Sequence, residues 1–390
     1  MKNIYEILDF LQKHIQAVDG FELLSLEQAK GRILAEDIFA RKDVPSFDNS
    51  ALDGYAFNFA DKHKALEIQG TIFAGDKRTY TLKEGQCYKI MTGALMPKNA
   101  DTILRIEDEK LENSKLLISK DVQQYNAYRY KGEEIKKNEL LLSKHTKLNS
   151  AMIALLAAQG IYKIVVKRKI RIGVFSSGDE LKEPWQECDE KSIYNANAFA
   201  LNALLENPCF ELSYLGIIKD ELQTTKEALD NMHFDLLLSS GGASVGEADF
   251  MEQALNELNF NLLFQGVKAR PISPTKLYQK NTLLVLLLPG NPMSAFLSCF
   301  IFGLHIACIL SGNRNKNLKF KAKMGMNLQV KSGRNNCILG NVIDGIFFPT
   351  NEHKYSPAMI KPLIQSTFLL ISDEKLSELK IDDEIELLML

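Results

Sequence analysis

Three stretches of this chain concentrate the residue types that handle phosphorylated ligands. The first is Ser176, Ser177, Gly178, Asp179 and Glu180; the second carries Ser240, Gly241, Gly242, Ser244, Gly246, Glu247 and Asp249; the third is Pro289, Gly290, Asn291, Pro292 and Ser294. Small residues let backbone N–H groups converge on an anion, and Ser294 begins a helix whose positive end can face an oxyanion. Four carboxylates complicate that reading. Asp179, Glu180, Glu247 and Asp249 would repel a phosphate unless a divalent cation lay between them, and carboxylate oxygens are the ligands that Mg2+ prefers. The loops together therefore predict a phosphate pocket with Asp179, Glu180, Glu247 and Asp249 as metal ligands. Any one of these acids alone would read as a helix cap or a solvated side chain.

The elements that must position these loops can be read from the apolar runs. Strands are expected at 170–175, 212–218, 236–238 and 282–288, separated by helices near 197–206, 222–232 and 250–258. Such alternation predicts a doubly wound, mostly parallel α/β sheet, in which loops leaving the carboxyl ends of strands meet without being close in sequence. Before it, the spacing of Ile4, Ile7, Leu8, Leu11 and Ile15 predicts a helix to about Ala17, and Ser25 with Gln28 reads as a capping box opening a second helix that ends near Gly31. Residues 43–56 are too polar for regular structure, with a turn at Asp53 and Gly54. Short alternating runs at 65–70, 80–82, 88–91 and 102–106 predict a small β-domain, and 148–160 a helix. Runs at 320–324, 337–341, 345–349, 367–371 and 384–388 predict a closing β-barrel. The expected organisation is an inserted β-domain at 45–139, an α/β domain at 169–316 and a C-terminal β-barrel at 317–390, joined by helical and linker segments at 1–44 and 140–168.

Bulk properties exclude several classes. The 390 residues are 46% hydrophobic and 25% charged, with a net charge of -2, which leaves no electrostatic footprint for nucleic acid or an anionic membrane. Six cysteines without a C-x-x-C pair argue against a disulfide framework or structural zinc, and with the acidic N-terminal segment they point to the cytoplasm. Residues 293–310 hold no charged side chain, yet they follow a strand and a Pro-Gly-Asn-Pro turn, so a buried core or interface helix is expected rather than a membrane span. The sequence has no Walker A motif, no H-E-x-x-H and no G-x-S-x-G. Asp53 by itself reads as a turn residue, and Thr92, Gly93 and Ala94 as a tight turn.

Five segments in order, 45–56, 90–94, 174–181, 239–249 and 289–295, resemble the molybdopterin molybdenumtransferase (molybdenum-insertase) family, typified by bacterial MoeA and the gephyrin E domain. The resemblance spans almost the whole chain. It implies that adenylylated molybdopterin binds the α/β domain, that molybdate reaches the dithiolene with loss of AMP, and that magnesium assists. Asp53 and Thr92 match the acidic and hydroxyl positions that the family brings to its cleft; Glu180, Asp249, Pro289 and Pro292 match pterin-side and metal-side positions; and Asp220 matches a further acid. On that basis Asp53, Thr92, Glu180, Asp220 and Asp249 are the expected catalytic residues. A homodimer with its cleft across the interface, and transient contact with a molybdopterin adenylyltransferase, are implied as well. Departures concern the cations. Where the family writes K-x-x-x-K-P-G-x-P, Gly266, Arg270 and Ile272 stand for the two lysines and the glycine, so Lys268 and Arg270 are the expected oxyanion ligands. In the barrel Arg334 keeps one family arginine, while Leu339 stands where a second often lies. The rival readings are an adenylyltransferase, whose single domain resembles 170–310, a scaffold that has kept the fold without the chemistry, and a nucleotide pyrophosphatase suggested by the carboxylates.

Overall fold

Along the strands of the α/β region, successive side chains point to opposite faces and both sets are apolar, so the sheet must be covered on both sides. The computed structural model describes residues 1–219, 221–230, 233–242, 250–313 and 319–390. Its contacts divide the chain into two compact units, Met1–Glu36 with His145–Ile153 and Lys163–Leu390, and Asp37–Lys144 with Ala154–Tyr162.

In the first unit β1 (Ile170–Ser177), β2 (Phe210–Ile218), β3 (Leu236–Ser240), β4 (Asn261–Gln265), β5 (Lys276–Lys280) and β6 (Leu283–Leu288) form a six-stranded sheet in the order β2-β1-β3-β6-β5-β4. The pairings β1–β2, β1–β3 and β3–β6 are parallel, whereas β5–β6 and β4–β5 are antiparallel. Ile172, Val174, Leu238 and Leu286 face a core shared with helix Asn197–Leu204, the N-terminal helix Ile4–His14 and helix Pro292–Leu310. Phe175, Leu237, Val285 and Leu287 face the other way, onto helices Leu222–Asp230 and Phe250–Glu257. The doubly wound, mostly parallel arrangement is the one expected.

β4 and β5 were not expected. Their polar Asn261, Gln265, Lys276, Gln279 and Lys280 hide the strand signal, and Lys276 is nevertheless only 3% exposed because Glu252 pairs with it. The capping box expected at Ser25 is also corrected. Ser25 ends strand Phe21–Ser25, paired with Lys163–Lys167, and only a short 3-10 turn without a side-chain cap follows. The capping box of this fold is at Asn3: its Oδ1 accepts from Glu6 N at 2.9 Å, and its N–H donates to Glu6 Oε2 at 2.8 Å.

Helix Pro292–Leu310 is long and apolar enough to cross a membrane, but 78% of it is buried within the fold. It is a core helix, with a π-helical stretch at Cys299–Gly303. Beyond it, Asn335–Ile343, Ile346–Pro349, Lys319–Met324, Glu384–Met389 and Phe368–Ile371 pair in that order, and the last returns to the first, closing the barrel. Closure removes the strand edges.

The second unit is built on a sheet of Thr102–Arg105, Gly54–Phe57, Gln86–Ile90, Leu66–Ile72, Lys115–Leu116 and Leu111–Glu112, in that spatial order. Of the expected strands, 80–82 is reduced to a single bridge, Thr81 to Lys98. Gly54 opens a central strand where a turn was expected, and only glycine fits there, since a Cβ would stand 2.0 Å from the Leu104 carbonyl oxygen.

Candidate active site

At the carboxyl ends of the strands two asparagines make the ties, Asn197 between the end of β3 and the loop after β6, and Asn195 between β1 and β2. Asn197 Nδ2 donates to Ser240 Oγ at the end of β3 and to the Gly290 carbonyl after β6, both at 2.7 Å. Asn195 Oδ1 accepts from Ser176 Oγ of β1 at 2.8 Å, and Asn195 Nδ2 donates to Tyr214 Oη of β2 at 2.8 Å. Tyr214 donates in turn to Glu183 Oε1 at 2.5 Å; burial first, and this bond second, hold its hydroxyl well above the usual phenol range. Ser176, Ser240 and Asn195 are all buried, so the network is protected from competing water. Neither asparagine was singled out in the sequence. Asparagine before a helix reads as a cap, and the only available signal was the repetition Asn195, Ala196, Asn197 between strand and helix.

Close backbone approach explains the glycines. A Cβ on Gly241 would lie 2.5 Å from the Ser177 carbonyl oxygen, at a φ of +98°. Its amide is already spent on the Leu288 carbonyl at 3.2 Å, so Gly241 brings the β1 and β3 loops together rather than offering an N–H to an anion. Gly178, at φ +152°, would set a Cβ 2.8 Å from Glu180 Oε2, so the Glu180 carboxylate folds over it. Asp179 and Glu180 are exposed, and neither has an ion pair among the described residues. Among the described residues no three potential metal ligands come together, so of the expected Mg2+ ligands only the sequence neighbours Asp179 and Glu180 are placed; their carboxylate oxygens are of the type Mg2+ takes, one or two at a time beside substrate phosphates. Asp220, Ser244, Gly246, Glu247 and Asp249 lie outside the described residues. Pro292 opens the helix after β6, Ser294 is buried in its first turn, and Pro289, Gly290 and Asn291 form the approach to it.

The expected oxyanion ligands come from a second feature of the same unit. The short strand Ala269–Arg270 pairs in parallel with Asn335 and Asn336, which brings Arg270 beside Arg334. Burial first, and the Arg270 charge second, pull the Arg334 guanidinium below its ordinary value, and its Nε is buried without a hydrogen-bond partner. Lys268 differs, with Nζ 3.4 Å from Glu374 Oε2. Gly266 sits at φ +73°, where a Cβ would press on Met1 Sδ at 3.0 Å, so the missing lysine reflects a turn that disfavours a side chain. Leu339 is fully buried and takes no part.

In the second unit the antiparallel register of Gly54 with Ile90 brings the residues just outside that pair, Asp53 and Thr92, to one end of the two strands. Asp53 Oδ1 accepts from both Thr92 N and Thr92 Oγ1 at 2.7 Å. Led by the hydroxyl bond, these hold the Asp53 carboxyl below the usual carboxylate range although it is exposed. What read as two separate turns is one acid–hydroxyl pair.

Residues 3–160 match the family model described as MoeA N-terminal region (domain I and II), and residues 173–304 match that of a probable molybdopterin binding domain. The molybdopterin molybdenumtransferase of Haemophilus influenzae is 32% identical over 320 residues, covering 80% of this chain and 79% of the relative. The chain belongs to the molybdopterin molybdenumtransferase family. The enzyme of that name from Bacillus subtilis is 33% identical over 304 residues, covering 74% of this chain and 70% of the relative. A crystal structure of the molybdopterin biosynthesis MoeA protein from Pyrococcus horikoshii OT3 superposes with a TM-score of 0.86 at 26% identity, covering all of both chains. Membership in the transferase family supports a role in molybdenum insertion during cofactor biosynthesis.

Proposed function

We propose that this chain inserts molybdate into adenylylated molybdopterin, releasing AMP and yielding molybdenum cofactor. One observation carries the reading. Within a single unit, the exposed carboxylates of Asp179 and Glu180 lack a cation, and Arg270 and Arg334 lack a carboxylate, among the described residues. A site divided in this way suits a substrate with phosphates that need a divalent ion at one end, and a second, oxyanionic substrate at the other. Magnesium, when bound at Asp179 and Glu180 with Glu247 and Asp249, would neutralise phosphate charge. The chain's own groups do the rest. The loops fixed by Asn195 and Asn197 orient the phosphorylated substrate, Arg270 and Arg334 hold molybdate, and Asp53, kept ionised by Thr92 through Oδ1, keeps Oδ2 as a charged hydrogen-bond acceptor. A homodimer, a transient contact with the adenylyltransferase that would supply the substrate, and a reducing cytoplasmic setting supported by free cysteines belong to the same proposal.

The test is AMP release by purified protein given adenylylated molybdopterin, molybdate and Mg2+, with recovery of active cofactor. AMP release should require molybdate and cease with a chelator. Equal release without molybdate would make the chain a pyrophosphatase, and no release under complete conditions would make it a binding protein.

A further inference from the structure

We propose that Trp185 and Phe199 form a stacking shelf for a planar heterobicycle, the ring class shared by the adenine and the pterin of the substrate above; the inference rests on that functional reading. Trp185 is the single tryptophan of the chain and is 69% exposed, an unusual setting for the largest apolar side chain. A built turn presents it. Glu183 N donates to Gln186 Oε1 and Gln186 N to the Glu183 carbonyl, each at 2.9 Å, with Pro184 fixing the backbone between.

Behind it the Phe199 ring stands edge-on at 6.1 Å, itself 41% exposed, and Phe199 packs on Tyr214 at 5.4 Å. Tyr214 is locked by Glu183 and Asn195, so the shelf is braced by the network that holds the Ser176 loop. Phe199 also follows Asn197, which binds Ser240 and Gly290, on the same helix turn. The aromatic pair is therefore linked to the candidate active site through Tyr214, whose hydroxyl accepts from the same Asn195 that holds Ser176. Exposed aromatic faces backed by fixed side chains stack on planar bases whatever their edge pattern.

The single tryptophan makes the shelf its own reporter. AMP and 6-hydroxymethylpterin are titrated separately into the wild-type protein while tryptophan emission is followed. Saturable quenching is expected from at least one, and the one that quenches identifies the ring. Calorimetry on Trp185→Ala should show that ring bound about tenfold more weakly, while Trp185→Phe, which keeps a face, should stay within about threefold. The proposal is overturned if neither ligand alters the emission, if Trp185→Ala binds both like wild type, or if Trp185→Phe loses as much as Trp185→Ala. A loss confined to association with an adenylyltransferase would also overturn it, by making the patch a protein contact. These titrations need no turnover, so they are read independently of the AMP-release assay.

Discussion

Replacing Asn197 by alanine should cripple the site while leaving the fold intact. Its side chain makes two hydrogen bonds of 2.7 Å, to Ser240 Oγ and to the Gly290 carbonyl, and so joins the end of β3 to the loop after β6. A net intramolecular hydrogen bond contributes about 0.5–1.5 kcal/mol, so the two together contribute about 1–3 kcal/mol. Ser240 is 3% exposed, and losing its donor leaves a buried hydroxyl short of a partner, which favours the upper half of that range. At about 1.4 kcal/mol per tenfold, kcat/KM for AMP release should fall roughly 5- to 150-fold if the tie acts on the bound transition state. Thermal unfolding followed by circular dichroism should shift down by only about 2–10 °C. Asn202→Ala is the control. It removes a 2.9 Å bond to the Ala198 carbonyl within the same helix, and its turnover should remain within about twofold of wild type. If Asn197→Ala turns over like wild type, or falls no further than Asn202→Ala, the loops are fixed by something else and the argument for this site fails.

Two further outcomes follow from the same sheet. Gly241→Ala, whose Cβ would lie 2.5 Å from the Ser177 carbonyl oxygen at a φ of +98°, should cost about 2 kcal/mol or more in urea unfolding and reduce AMP release at least tenfold; a stable, active variant would show that these loops can move apart. At the opposite end of β3, burial pushes the Asp235 carboxyl up, but two Arg168 hydrogen bonds of 2.7 and 2.8 Å with the Arg171 N–H pull it below the usual range. A carboxyl lowered by folding contributes stability that is complete above about pH 4 to 5 and is lost as pH falls through the folded value. Asp235→Asn should therefore destabilise by about 2–4 kcal/mol at pH 7, with the difference from wild type shrinking in acid; a pH-independent difference would sink the assignment.

Legibility in the sequence followed the strength of each local signal. The apolar runs of β3 and β6 could be read as buried strands, and their following loops as a ligand crevice, because burial on both faces leaves an apolar run. β4 and β5 could not, since tertiary partners such as Glu252 compensate Lys276 in a way no window of sequence records. Ser25 shows the converse failure: the pattern of a capping box was present, but pairing of Phe21–Ser25 with Lys163–Lys167 claimed the residue first. The glycines of the site were legible as small residues, whereas their reason, approach of one loop's backbone to another, required coordinates. Asp53 and Thr92 were separate turns by local reading and became candidates only through family resemblance; strand register then accounted for their meeting. Asn195 and Asn197 escaped both routes, because an asparagine that ties distant loops looks the same as one that caps a helix.

The short strand Ala269–Arg270 lies next to Asn335–Ile343, so the α/β region and the barrel share a hydrogen-bonded ladder. Asn335, 1% exposed, reinforces the seam by accepting from Ile4 N at 3.0 Å, donating from its backbone to the Lys268 carbonyl at 3.0 Å and donating from its side chain to the Ser372 carbonyl at 2.8 Å. Hinge motions need a few backbone positions that absorb large dihedral changes, and a ladder with a buried cross-link offers none. The barrel therefore cannot swing away from this ladder without first breaking main-chain bonds, and the backbones that carry Arg270 and Arg334 stay side by side as long as it holds. The end of the site proposed to hold the oxyanion is thus built on a rigid anvil.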